Sequence, residues 1–260
     1  MSSDDTFPFR PTLLANRRAV VTGGNDGIGV AITCALVKAG ASCAVVARSK
    51  AKFDAMLDTH EFLQGSADFI QADLESADAT ISAGKAAVAW ADGHVDILVN
   101  NAGVALLGPL TEYGVEAWDK VMAVNARAPF LMAQACAPGM IEQRAGKIIN
   151  ISSQAGTIGI ADHAAYCASK AAIDALTRVM TVEWAKHNIQ ANSIGPTVVM
   201  TEMGKRVWGG AAGEPMRQRT PIGRFAEPDE VANMVVYLCS DASNILCGQT
   251  LLMEGGLTIC

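Results

Sequence analysis

A chain of 260 residues that is 50% hydrophobic and holds 24 glycines has apolar material for one large α/β domain or two small ones. Its formal charge of −6 offers no basic field and argues against nucleic acid as a partner. No run reaches the roughly 18 uncharged apolar residues of a membrane span, and the polar, proline-broken MSSDDTFPFRP is no signal segment. A soluble cytoplasmic protein with no membrane partner is expected. The seven cysteines, Cys34, Cys43, Cys136, Cys167, Cys239, Cys247 and Cys260, are scattered, odd in number and lack a CxxC pair. Neither a disulfide framework nor a metal site follows.

RAVVT (Arg18 to Thr22) reads as a first strand, followed by the glycine turn TGGNDGIG and a helical pattern from Gly27 to Gly40. CAVVA (43 to 47), DFIQA (68 to 72) and DILVN (96 to 100) read as the next three strands, with crossover helices near 53–61 and 77–90. Their apolar density suits a parallel sheet covered on both faces. A helix over 118–136, strand KIINIS, a long helix over 164–186 and strand IQANSI follow. An irregular or partly helical insertion runs to about residue 225, then a helix over 227–239 and a last strand in QTLLME. The alternation without a linker predicts one doubly wound α/β Rossmann domain over 15–260, with an N-terminal extension over 1–14 and a substrate lid near 197–225.

Gly23, Gly27 and Gly29 fall at the first strand-to-helix turn, where missing side chains let backbone and helix N-terminus approach a pyrophosphate. The second strand ends in Ala47-Arg48-Ser49-Lys50 rather than in an acid that would bind an unmodified ribose. Arg48 with Ser49 suits a 2′-phosphate, so NADP(H) is the expected cofactor, with NAD(H) kept open by the opposing charge of Asp26. Asp73 is placed to meet an adenine edge or to cap a helix. NNAG (Asn100, Asn101, Ala102, Gly103) ends the fourth strand beside the cofactor cleft, its asparagines able to tie strand ends together. Asn25, Ile28 and Leu74 complete the expected cofactor-binding set on this side.

Tyr166 and Lys170 share a helix face in YCASK, so an ammonium can sit beside the phenol and favour phenolate over a reference pKa of about 10. Ser153 lies upstream. Together TGGNDGIG, NNAG, Ser153 and YCASK resemble the short-chain dehydrogenase/reductase family across about residues 15 to 257. The resemblance implies a catalytic group of Asn125, Ser153, Tyr166 and Lys170. Tyr166 would exchange the alcohol or carbonyl proton, and Ser153 would hold the reacting oxygen. Lys170 would lower the phenol pKa and hold the nicotinamide ribose, and Asn125, where helical geometry is interrupted in that family, would fix a water relaying protons to Lys170.

In the substrate half, SSQAG, His163, GPTVVMTEM and GKRVW resemble the L-xylulose reductase and polyol dehydrogenase branch of that family. The branch implies substrate contacts at Ser153, Gln154, Ile160, His163, Tyr166 and Trp208, with Trp208 in the lid. It further implies that Pro196, Thr197, Val199 and Thr201 line the nicotinamide, Thr201 holding its carboxamide. The expected activity is interconversion of a ketose or other carbonyl with its polyol or alcohol. Reduction of a 3-ketoacyl thioester is the alternative, with Arg127, Arg178 and Lys186 as sparse docking cations, and a non-catalytic dinucleotide sensor is a third. The small-residue-rich helices over 118–136 and 164–186 are those that pair in family dimers, implying a homotetramer.

Overall fold

The computed structural model describes residues 7–260. A seven-stranded parallel sheet has the order β3-β2-β1-β4-β5-β6-β7. In chain order the main elements are β1 (Arg18–Thr22), α1 (Ile28–Lys38), β2 (Ser42–Ala47), α2 (Lys50–Thr59), β3 (Ala67–Gln71), α3 (Ala77–Trp90) and β4 (Ile97–Asn100). They continue with α4 (Val115–Met122), a π-helical turn (Ala123–Arg127), α5 (Ala128–Gln143), β5 (Gly146–Ile151) and α6 (Ala164–Trp184). The chain ends with β6 (Ile189–Pro196), α7 (Glu202–Trp208), α8 (Glu214–Arg219), α9 (Pro228–Cys239) and β7 (Thr250–Met253).

Strand side chains alternate between faces, and the apolar runs of the strands are divided accordingly. Val21, Val99, Ile149 and Ile194 enter a core with Ile32 and Leu36 of α1 and Val231 and Val235 of α9. Their neighbours Val20, Leu98 and Ile148 turn to the other face, against Met132 of α5 and Met180 of α6. Leu98 and Ile149 are fully buried, and truncating either to alanine is expected to cost about 2–5 kcal/mol. A smaller cluster of Val45, Phe53, Met56 and Leu63 seats α2.

The expected N-terminal extension, 1–14, lies partly outside the described residues. Within its described part, Phe7 and Phe9 meet edge-on at 5.7 Å and pack on the α1/α9 core. Leu14 is buried and its N–H donates to Ala39 O at 2.8 Å.

Several element boundaries differ from the sequence expectation for local reasons. The helix expected over 118–136 is interrupted at Asn125, as the family resemblance implied, by the π-helical turn that joins α4 to α5, whereas α5 runs on beyond the expected end to Gln143, past Pro138. Its end is set by Arg144 in the left-handed conformation at φ 52° rather than by the proline. Asp73 does not cap α3; Ser76 does, accepting from Ala79 N at 3.2 Å, while Asp73 Oδ1 accepts from Glu75 N at 3.1 Å. Among the described residues no helix is long and apolar enough to cross a membrane.

Candidate active site

Because all strands run parallel, their C-terminal ends share one edge, and strand order reverses between β1 and β4. That switch point opens a crevice for a ligand. The loops after β1 and β2 line one side of it, and those after β4, β5 and β6 the other.

The glycine turn is built for close approach. Gly23 and Gly27 hold φ of 64° and 51°, where a Cβ is strained. A Cβ on Gly29 would lie 2.0 Å from Gly23 O and 2.7 Å from Asn101 Nδ2. Asn101 pins the turn, donating from Nδ2 to Thr22 O at 3.0 Å and Gly23 O at 3.1 Å. Thr22 Oγ1 accepts from the N–H groups of Asn101 and Ala102 at 3.0 and 3.1 Å. Ile28 opens α1 and packs on the apolar core behind the turn.

The end of β2 is tied to the glycine turn by Asn25, whose Nδ2 donates to Ser49 O at 2.8 Å. Ser49 caps α2, accepting from Lys52 N at 3.2 Å. Asp26 pairs with Lys52, so the acid of the glycine turn is partly neutralised from α2. Arg48 is exposed, and among the described residues no hydrogen bond or ion pair engages its guanidinium. Leu74 is buried and Asp73 exposes its edge after β3.

The second group gathers on the other side of the crevice. Ser153 follows β5, and its Oγ accepts from Ala155 N at 3.1 Å, which leaves its O–H free to donate. Tyr166 stands near the start of α6. Burial pushes its phenol above the usual range, a hydrogen bond with Ser153 pulls it back, and Cys167 adds a smaller upward push. Lys170, 4% exposed, donates from Nζ to Ile151 O at 2.7 Å and lies 5.5 Å from the Tyr166 ring centroid. Burial lowers its ammonium to about 8, partly offset by Asp174.

Asn125 sits inside the π-helical turn, 2% exposed. Its Oδ1 accepts from Val104 N at 2.8 Å, and its Nδ2 donates to Val104 O at 2.9 Å and Ser169 Oγ at 3.1 Å. The wider turn carries the amide to the backbone that follows NNAG. A Cβ on Gly103 would lie 3.5 Å from Asn125 Oδ1 and 3.6 Å from Lys170 Nζ, so Gly103 marks where the β4 end passes between them.

Gln154 is 5% exposed and its Oε1 has no hydrogen-bond partner. His163 is half-buried, its Nδ1 2.6 Å from Ala161 O and its ring 6.2 Å edge-on from Tyr166. Ile160 is half-buried on the same loop. Pro196 ends β6, and Thr197 beyond it bonds Met253 O through its N–H while its buried Oγ1 is unpartnered. Val199 is buried and bridges to Ala226. Thr201 caps α7, accepting from Gly204 N at 3.1 Å, and its Cγ2 would lie 3.5 Å from a Cβ on Gly27, so the segment after β6 reaches across to the glycine turn. Trp208 at the end of α7 packs edge-on to buried Phe225 at 6.3 Å.

Sequence reasoning named Asn100 as a tie between strand ends but missed the polar groups it reaches beneath this cluster. Asn100 Nδ2 donates to Asn150 Oδ1 at 2.8 Å, Asn150 Nδ2 to Thr177 Oγ1 at 2.7 Å, and Thr177 shares a 2.8 Å bond with Ser193. Asp174, one turn beyond Lys170, was legible from spacing alone; the others become neighbours only through strand pairing.

The cradle fits a dinucleotide. Its glycines leave backbone where side chains would clash, the N-terminus of α1 points into the turn, Thr197 offers an unpaired hydroxyl, and Arg48 offers a free fork.

A family model described as Enoyl-(Acyl carrier protein) reductase matches residues 23–258. The D-threitol dehydrogenase of Mycolicibacterium smegmatis is 40% identical over 253 residues, 97% of this chain and 96% of that protein. The L-xylulose reductase of Bos taurus is 41% identical over 245 residues, 94% of this chain and 97% of that protein. The crystal structure of a gluconate 5-dehydrogenase from Burkholderia cenocepacia, in complex with NADP and tartrate, superposes with a TM-score of 0.88 at 35% identity, covering 96% of this chain and 98% of that one. The chain belongs to the short-chain dehydrogenase/reductase family and is an NAD(P)(H)-dependent oxidoreductase.

Proposed function

We propose that this enzyme interconverts a short ketose and its polyol, with NADP(H) preferred over NAD(H). Gln154 carries the substrate reading: it is buried beside Ser153 with an unpaired Oε1. A buried acceptor left unpaired costs about 1–3 kcal/mol, which a substrate hydroxyl offsets and a plain ketone does not. His163 at the edge of Tyr166 is placed for a second hydroxyl, and Ile160 and Trp208 for enclosure. The threitol and xylulose named for two relatives support the same substrate class. The free guanidinium of Arg48, the capping hydroxyl of Ser49 and the Lys52–Asp26 pair support a 2′-phosphate.

In this reading the Tyr166 phenol donates its proton to the carbonyl oxygen, and Ser153 donates to the same oxygen where negative charge develops. The upward push of burial on Tyr166 keeps the phenol protonated, the state reduction needs. In the alcohol-oxidising direction the bond from Ser153 and the nearby ammonium favour the phenolate that accepts the proton. The bound dinucleotide supplies or takes up the hydride. Gly23, Gly27 and Gly29 would hold its pyrophosphate, Asp73 and Leu74 its adenine edge, Asn101 to Gly103 its adenosine side, and Lys170 with Pro196, Thr197, Val199 and Thr201 its nicotinamide side. Both N–H donors of Asn125 are taken, so its amide could offer a relay water only the remaining Oδ1 lone pair.

Exposed Phe130 on α5 and Val179 and Val182 on α6 support pairing of these helices between copies, the contact a homotetramer would use, and sedimentation showing only monomer would refute it. A screen of short ketoses, polyols, cyclic ketones and acetoacetyl thioesters with both cofactors tests the substrate reading. Higher kcat/KM on hydroxylated substrates than on plain ketones of equal size, with Gln154→Leu penalising the former more, is the expected result. Equal activity on both, or activity confined to thioesters, overturns it.

A further inference from the structure

The face of α6 that carries Tyr166 and Lys170 carries a third polar side chain one turn further on, Asp174. Its carboxyl is 6% exposed and its Oδ1 makes no hydrogen bond. Burial pushes the Asp174 carboxyl above the usual carboxylate range, and the hydroxyls of Ser152 after β5, Ser193 on β6 and Thr250 on β7, with the Lys170 ammonium, pull it part of the way back. Lys170 and Asp174 occupy adjacent turns of one helix face and attract one another without closing an ion pair, and among the described residues no other charged side chain pulls on either. From the strands packed against this face come the Ile151 carbonyl that Lys170 Nζ meets and those hydroxyls, and the titratable group facing Lys170 on its own helix is Tyr166.

The backbone makes room for this carboxyl. A Cβ on Gly156, in the loop after Ser153, would lie 2.7 Å from Asp174 Oδ2 and 3.0 Å from the carbonyl carbon of Lys170. The loop that holds Ser153 therefore rests directly on the Lys170–Asp174 turn, and any side chain there would displace one or the other. Ser193 in turn bonds Thr177, which Asn150 and Asn100 reach from β5 and β4. The carboxyl closes a chain of buried polar groups running from the strand end that precedes Gly103.

We infer that Asp174 is a positioning residue that keeps Lys170 charged, its buried carboxylate serving as the counter-ion the lysine otherwise lacks. The inference rests on the reading of Lys170 as part of the catalytic group. A buried ammonium is driven toward neutrality, and an opposite charge nearby restores it. Lys170 lowered to about 8 stands within the working range, where its charge depends on that counter-ion.

The test titrates Lys170 directly, in protein labelled with ¹³C at the lysine ε-carbon, with Lys170→Arg identifying the resonance. The wild-type midpoint is expected at about 8, and in Asp174→Asn the proton affinity should fall by about tenfold or more. Asp174→Ser, smaller than aspartate, should move the midpoint the same way if the asparagine variant fails to fold. In carbonyl reduction, kcat/KM is expected to fall as pH rises through the Lys170 midpoint. This fall should move to lower pH by the same factor while the low-pH plateau is retained. An unmoved midpoint, or an equal loss of activity at every pH, would overturn the inference. Because the titration needs no substrate, a shifted midpoint sustains it even where the ketose reading fails.

Discussion

Replacing Asn125 with alanine separates a structural clamp from a chemical role. The side chain makes three hydrogen bonds, two of them to the N–H and C=O of Val104 and one to Ser169 Oγ. Ser169 keeps its 2.8 Å bond to Tyr166 O in the variant, so two backbone groups are left unpaired. At about 1–3 kcal/mol each, reduced where water enters the void, the expected loss is about 2–4 kcal/mol. Equilibrium urea unfolding at fixed protein concentration reads this difference, because assembly adds to apparent stability. The variant should also lose kcat, since the clamp holds the Gly103 backbone beside Lys170. Asn125→Asp keeps the acceptor for Val104 N but sets a carboxylate against Val104 O, and should be at least as destabilised. Stability within about 0.5 kcal/mol of wild type alongside a lowered kcat would refute the clamp.

Legibility in the sequence followed the range of the interaction. Strand cores such as Val20-Val21 and Ile148-Ile149 were legible because both sheet faces are covered, so apolar runs mark strands wherever they occur. Tyr166, Lys170 and the glycine turn were legible because their geometry is local, fixed by one helical turn or one strand-to-helix junction. The π-helical turn at Asn125 was not derivable from the periodicity of 118–136. What it serves is Val104, a backbone partner 21 residues away that no pattern within the helix announces. Asn150, Thr177 and Ser193 look like unrelated polar residues until β5, α6 and β6 become neighbours of one another and of Asn100 on β4. Ser76 rather than Asp73 as the α3 cap is a three-residue choice between two good cap residues, which propensity does not separate.

The remaining tests address the proton, the cradle and the cofactor. Tyr166→Phe keeps ring packing and should retain cofactor affinity by fluorescence titration while losing at least about 100-fold in kcat; near-normal kcat would remove Tyr166 as acid and base. Gly29→Ala places a Cβ 2.0 Å from Gly23 O, which Asn101 holds in place. It should cost about 1–3 kcal/mol of stability and weaken dinucleotide binding by calorimetry, and an unchanged Kd would refute the close-approach argument. Arg48→Asp removes an uncommitted guanidinium and installs an acid suited to an unmodified ribose. A charge-assisted bond of about 1.5–3 kcal/mol corresponds to roughly 10- to 150-fold in the NADPH to NADH ratio of kcat/KM. Lys52→Ala acts on the same ratio indirectly, by releasing Asp26 to repel the 2′-phosphate. The pair it breaks is exposed at 58% and 68%, so its shift should be only a few-fold and should shrink as salt is raised. A wild-type enzyme that already favours NADH by about tenfold, or an Arg48→Asp ratio equal to that of wild type, would remove Arg48 from the 2′-phosphate. A Lys52→Ala shift as large as that of Arg48→Asp would mean that neutralising Asp26, rather than the guanidinium, decides which dinucleotide this turn accepts.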